Sequence, residues 1–276
     1  MRTPCLVYTA LFDLSRESVD GRSIQQYLDW LRETALIFPG LIVFHDGSCD
    51  KLEVPGIECI KIEKSELLTF TYLNPLKELL RDFKPIATRD ITFSLPEYAL
   101  VQFAKFELAN KLLEERSFDS ILWVDAGISR FIDKTKPYSS LMDSMFLKQL
   151  LNFEYQFAFE IDLRRNITIP RLKVPVAEFG SCRRIISGTS FWIRRDGIDL
   201  IWKNVQQHLS SMISRSVWDN EQVYLREFLG NSNHETAFVL QSKSSTGTLA
   251  RVLLGEQARL PIRFSKFLCK MLRYKE

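Results

Sequence analysis

Apolar residues fall along the chain in two alternating rhythms. Short runs rich in β-branched and aromatic side chains occupy residues 5–12, 41–44, 57–62, 121–124, 155–161 and 185–193, the first bounded by Pro4 and Asp13, and read as strands. Between them the spacing becomes helical. Ile24, Tyr27, Leu28, Leu31, Ala35 and Leu36 share one face of a helix predicted over 23–38, with Ser23 as its cap and Pro39-Gly40 as its stop. A second helix is predicted over 95–115, opened by Ser94 and Glu97 as a capping box with Pro96 in the first turn. On it Tyr98, Val101, Ala104, Leu108, Ala109 and Leu112 fall on one arc, with Lys105 near the middle. A cation there either snorkels out along its methylenes or meets a specific anion. Strands separated by helices predict an α/β fold with a mostly parallel central sheet flanked by helices.

The pattern changes at the end of the chain. Arg263, Lys266, Lys270 and Arg273 recur at helical spacing among Phe264, Phe267, Leu268, Met271 and Leu272. The expected organisation is one domain over 1–258 and a basic amphipathic helix over 259–276. That helix suits either an anionic membrane surface or docking on the domain.

Composition narrows the function classes. Lys and Arg number 37 against 34 Asp and Glu, a formal charge of +3, so the concentrated basic face of a nucleic-acid binder is not expected. The five cysteines are odd in number and scattered, without a C-x-x-C pair, and read as reduced thiols rather than a zinc site or disulfide framework. The apolar start of the chain is too short and wrongly flanked for a signal peptide, and the longest apolar stretch, 35–44, contains Pro39-Gly40. A cytoplasmic protein is expected, with the C-terminal helix as a possible peripheral contact with the inner membrane.

In open α/β sheets ligands bind beyond the carboxyl ends of the strands. The second strand delivers Asp46, followed by Gly47 and Ser48, which is also ordinary turn chemistry. Residues 121–124 deliver Asp125, Ala126 and Gly127, placing a carboxylate where it can reach a ribose hydroxyl or a divalent cation, with small neighbours that let a diphosphate approach. A third segment carries Ser187, Gly188 and Thr189, preceded by Arg183 and Arg184, which suit a phosphate or lie solvated. Asp219 and Glu221 open the next helix. Either can serve as a general base toward an acceptor hydroxyl, although Asp219 and Gln222 also read as a capping box. His208 reads as a surface residue, and His234 as a candidate late metal ligand.

These segments resemble a known family. Residues 95–106, the Trp123-Val-Asp-Ala-Gly127 block with the residues to Phe131, residues 187–192 and residues 219–222 are similar to the HtrL/YibB family of bacterial proteins, which is associated with lipopolysaccharide and surface-polysaccharide biosynthesis. More distantly they resemble GT-A glycosyltransferases, which implies a single GT-A-like (Rossmann-like) domain and a nucleotide-sugar donor. By that resemblance Asp46 touches the nucleotide, and Asp125 is the first acid of a D-x-D motif holding Mn²⁺ or Mg²⁺. Asp219 or Glu221 is then the acid near the acceptor, and His234 a further metal ligand. Gly127 stands where the second acid of D-x-D belongs, so Lys105 or Arg183 is an alternative partner for the leaving diphosphate, alongside Gly188 and Thr189. The implied reaction transfers a sugar to a lipid-linked or polysaccharide acceptor. A non-catalytic sugar- or nucleotide-binding accessory protein is the alternative, and a phosphohydrolase would lack its second acid.

Overall fold

The computed structural model describes residues 3–50, 52, 54–81, 91–135, 138, 140–152, 155–162, 186–231, 237–242 and 247–256. Arg183, His234 and the helix expected over 259–276 lie outside the described residues.

Seven strands form one sheet in the order β3-β2-β1-β4-β6-β5-β7. They are β1 (Thr3–Leu11), β2 (Ile42–His45), β3 (Glu58–Lys61), β4 (Phe118–Val124), β5 (Phe157–Asp162), β6 (Ile186–Arg194) and β7 (Ala237–Ser242). Every neighbouring pair is parallel except those made by β6, which runs against both β4 and β5. The expected α/β class with a mostly parallel sheet is the one observed.

Side chains alternate along the strands and divide the interior into two cores. Tyr8, Ile121, Trp123, Phe157, Phe159, Phe191 and Ile193 face one side. Val7, Leu122, Val124, Ala158 and Trp192 face the other. Eight helices are described: α1 (Glu17–Asp20), α2 (Ile24–Ile37), α3 (Leu73–Arg81), α4 (Pro96–Glu115), α5 (Met145–Asn152), α6 (Arg195–Ser214), α7 (Glu221–Asn231) and α8 (Thr248–Leu253). The first core packs under α3, α4, α6 and α7, the second under α2, α5 and α8. With both faces covered, the strands read as nearly continuous apolar runs.

Helix α2 begins as its sequence predicts: Ser23 and Gln26 form the reciprocal capping box. Helix α4 does not. Its cap position is Leu95, without a side-chain bond, because the Ser94 hydroxyl donates back to Ile91 O and closes the preceding turn. Glu97 pairs instead with Lys77 at 2.6 Å. The arc on α4 is also wider than the spacing predicts. Residues 99, 100, 102–109 and 112 are all buried, so this helix runs through the interior. Its end is capped from elsewhere: the Arg195 guanidinium donates to Arg116 O at 2.7 Å and to Leu113 O at 2.9 Å.

Of the cysteines described, Cys5 and Cys49 are buried free thiols, each pushed up to about 12 chiefly by burial, and Cys59 is an exposed one. Among the described residues no helix is long and apolar enough to cross a membrane.

Candidate active site

The chain leaves β1 toward β2 on one side and resumes at β4 on the other, so the sheet order reverses between β1 and β4. A cleft of about 820 Å³, counting solvent at its mouth, opens over the carboxyl ends of these two strands. This is the switch point at which open α/β sheets hold ligands. Ala10 to Leu14 and Trp123 form the floor, with Asp125, Ala126 and Gly127 at the edge. Ile24 and Tyr27 on α2 and Tyr98, Val101, Gln102 and Lys105 on α4 make the walls, and Arg16, Arg22 and Arg130 complete the lining.

Lys105 is the hub. Its ammonium donates to Gly188 O at 2.9 Å and to Glu221 Oε1 at 3.3 Å, lies 3.7 Å from Asp125 Oδ1, and sits 5.1 Å from the Trp123 ring centroid. Burial works against its charge, but the Glu221 and Asp125 carboxylates outweigh that penalty and hold its pKa above the usual lysine value. Of the two readings of a lysine within an apolar arc, the specific anion is the one observed. Tyr8 fixes the helix at this level by donating its hydroxyl to Lys105 O at 3.0 Å.

Asp125 follows β4, and its amide donates to Thr189 O at 2.8 Å while its Oδ1 accepts from Trp123 Nε1 at 3.2 Å. Because β6 is antiparallel, its first residues reach the same end of the sheet as the last residues of β4. That brings Gly188 and Thr189 behind Asp125. Gly188 is where α7 makes its closest approach: a Cβ there would stand 2.0 Å from Glu221 Oε1. The room that Gly127 leaves is taken by Arg130 and the Trp30 ring, within 3.0–3.2 Å of where a Cβ would be. Two hydroxyls tie this turn to α2, with Thr34 donating to Ala126 O at 2.9 Å and Ser129 to Trp30 O at 3.1 Å.

The other sequence candidates lie further back. Asp46 does not line the cleft. It accepts from the Asp13 amide at 3.2 Å and pairs with Lys64 at 2.8 Å. Burial alone would raise its carboxyl, but these two partners outweigh burial and its pKa lies below the ordinary carboxylate value. Glu221, 1% exposed, does not line the cleft and reaches its edge through Lys105. Asp219 is not the cap of α7. That position belongs to Asn220, whose Oδ1 accepts from the amides of Gln222 and Val223. Asp219 turns instead to His208 Nε2, 3.0 Å away, while His208 Nδ1 faces Glu227 at 4.0 Å. His208 is therefore not a surface residue: it packs 4.9 Å from the Tyr224 ring, between two carboxylates.

The fit of a divalent ion can be tested at two places. His208, Asp219 and Glu227 offer ligand atoms within 4.8 Å of one another. Burial disfavours the charged imidazole, but Asp219 and Glu227 outweigh it and raise its pKa, so an ion bound there would have to displace a proton from His208. At Asp125 the place beside the carboxylate already faces an ammonium, and the next carboxylate, Glu221, is engaged by the same ammonium and closed over by Gly188. Mn²⁺ or Mg²⁺ would need several oxygen ligands there. The surroundings of Asp125 do not fit such an ion, whereas His208, Asp219 and Glu227 have the ligand types for one but do not line the cleft.

The sequence reading passed over the three arginines. Arg16 lies over the Tyr98 ring at 4.3 Å and the Tyr27 ring at 5.4 Å and pairs with Asp20. Arg130 stacks on Trp30 at 4.2 Å, its Nε donating to Gly127 O at 3.0 Å. Arg22 is loosely placed, 3.8 Å from Asp20. The available signal was position: Arg16 and Arg22 follow β1, and Arg130 follows the Asp-Ala-Gly turn.

No family model and no curated protein sequence matches the chain. Among solved structures it is similar to 4-diphosphocytidyl-2C-methyl-D-erythritol synthase from Anaerococcus prevotii, at 13% identity over 87% of this chain and 88% of that one, with a TM-score of 0.38. It is also similar to a glycosyltransferase involved in the glycosylation of the major capsid of PBCV-1, at 12% identity over 87% and 82%, with a TM-score of 0.38. At that TM-score neither likeness bears on what the cleft does. Its chemistry lies in the side chains that line it.

Proposed function

We propose that the chain is a glycosyltransferase that takes a nucleotide-sugar donor and passes the sugar to an acceptor hydroxyl on a bacterial surface glycan. The observation that supports this reading is the cleft at the β1/β4 switch point, which combines aromatic side chains, three arginines and the carboxylates of Asp13 and Asp125. Tyr27 and Tyr98, both only partly buried, stand beside Arg16 where a base or sugar can pack against the aromatic and guanidinium surfaces. The arginines suit a diphosphate, whose charge grows as the bond from the anomeric carbon to its oxygen breaks. Asp125 accepts hydrogen bonds from ribose or sugar hydroxyls.

If the configuration inverts, a carboxylate takes the acceptor proton. Of Asp219 and Glu221, Glu221 is the one joined to the cleft, through Lys105. The surface-glycan acceptor comes from the resemblance to the HtrL/YibB family, and a lipid-linked acceptor from the basic sequence of 259–276, which suits an anionic membrane surface.

The test is thermal unfolding against a panel of nucleoside diphosphates and nucleotide-sugars. A ligand at about 100 times its Kd adds about 2.7 kcal/mol and raises the midpoint by roughly 5 °C. The expected result is a shift with one base that is lost in Asp125→Ala, together with slow hydrolysis of the matching donor when no acceptor is present. A shift without hydrolysis would favour the accessory-protein reading. No shift with any nucleotide would overturn both.

A further inference from the structure

The cleft's cations are unequally satisfied. Arg16 has its pairing with Asp20, yet its Nε is buried without a hydrogen-bond partner. Arg22 stands beside the same carboxylate at 3.8 Å with a side chain 44% exposed. Arg130 spends its Nε on a backbone carbonyl and forms no ion pair among the described residues. Gln102, 7% exposed, lines the same cleft with its Oε1 lacking a partner, an acceptor that suits a ligand hydroxyl rather than a phosphate oxygen. A guanidinium presents several N–H groups in a planar fork that matches phosphate oxygens, so three of them around one cleft describe a polyanion site.

Lys105 supplies the second half of the argument. Its ammonium stands between Asp125 and Glu221, 3.7 and 3.3 Å from their nearest oxygens, fixed by Gly188 O. The ammonium occupies the ground between these carboxylates that a divalent ion would need.

We propose that this cleft binds the diphosphate of its ligand without a divalent ion, Arg16, Arg22 and Arg130 holding the phosphate oxygens while the Lys105 ammonium takes the place of a metal between Asp125 and Glu221. The identity of the ligand rests on the nucleotide-sugar reading above. The phosphate chemistry does not.

The experiment is calorimetric titration of the full chain in excess EDTA with inorganic pyrophosphate and with UDP, GDP, CDP and ADP, repeated with Mg²⁺ or Mn²⁺ in place of chelator. The expected result is binding in EDTA, changed less than about threefold by metal, and weakened at least about tenfold in Arg130→Met and in Arg22→Met, in line with loss of a charge-assisted hydrogen bond. Arg22 is exposed enough that its replacement leaves the fold intact, which keeps the test valid should Arg130→Met unfold. Pyrophosphate binding in EDTA with no preference for any nucleotide would uphold the arginine site and sink the nucleotide-sugar reading. Nucleotide binding seen only with Mn²⁺ or Mg²⁺, or undiminished in both arginine variants, would overturn this proposal and leave the transferase standing.

Discussion

Gly188 shows how one missing side chain positions a charge. The strand passes so close to Glu221 that alanine would overlap Oε1 and crowd Lys105 Nζ at 3.3 Å. Gly188→Ala is expected to cost about 1–3 kcal/mol, read as a lower denaturation midpoint at unchanged m-value. Glu160 makes a pH-dependent contribution. It is 1% exposed on β5 and accepts from the Leu249 amide at 3.4 Å where α8 begins, and burial pushes its carboxyl from 4.5 up to about 7. The folded state therefore holds a proton that the unfolded chain releases, so stability is full below pH 4.5 and falls as pH rises through about 7. His208, with its raised pKa, acts in the same sense from its ordinary 6.5 upward. Urea titrations of Glu160→Gln between pH 4.5 and 7 should show that slope flattened. None of this was legible from single residues. Glu160 sits mid-strand in an apolar run, and the sequence does not reveal that a helix start would be turned toward it.

At the scale of elements, the sequence carried six of the seven strands and helices α2 and α4 because their periodicities are strong, but not the long helix α6. What it lacked was the direction of β6, which an apolar run cannot encode. That direction places Ser187 to Thr189 at the site from the start of a strand, whereas a parallel strand would have offered its end. The two misread caps share a cause: at Ser94 and Asp219 a polar side chain had more than one acceptor or donor in reach, and tertiary partners decided between them. The end of α4 is a further case, since its cap arrives from Arg195, 79 residues after the Arg116 carbonyl it serves. Arg195→Ala removes both bonds and the cation stacked 4.8 Å from Phe118. It is expected to lower stability by about 1–2 kcal/mol, with hydrogen exchange accelerated in the last turn of α4 before the rest of the helix.

For the molecule as a whole, the Lys105–Glu221 pair joins α4 to α7 across the first residues of β6. Lys105→Met leaves a buried carboxylate without its ammonium and is expected to cost about 3–5 kcal/mol in denaturant unfolding. The double variant with Glu221→Met should recover much of that loss, because both charges are then gone; equal instability of the two would show that the pair does not act as a unit. The candidate site was partly legible at this scale. Asp125 with Gly127 is marked by a strand end and Lys105 by helical periodicity, whereas Arg16 and Arg22 lie past the end of β1 where no pattern marks them. The same pair also sets an order on synthesis. Its partners are 116 residues apart in sequence, whereas Asp125, the other carboxylate beside the ammonium, lies just beyond the next strand. A chain leaving the ribosome therefore has one counterion for that cation early, and the bond that joins α4 to α7 becomes available only once Glu221 has emerged.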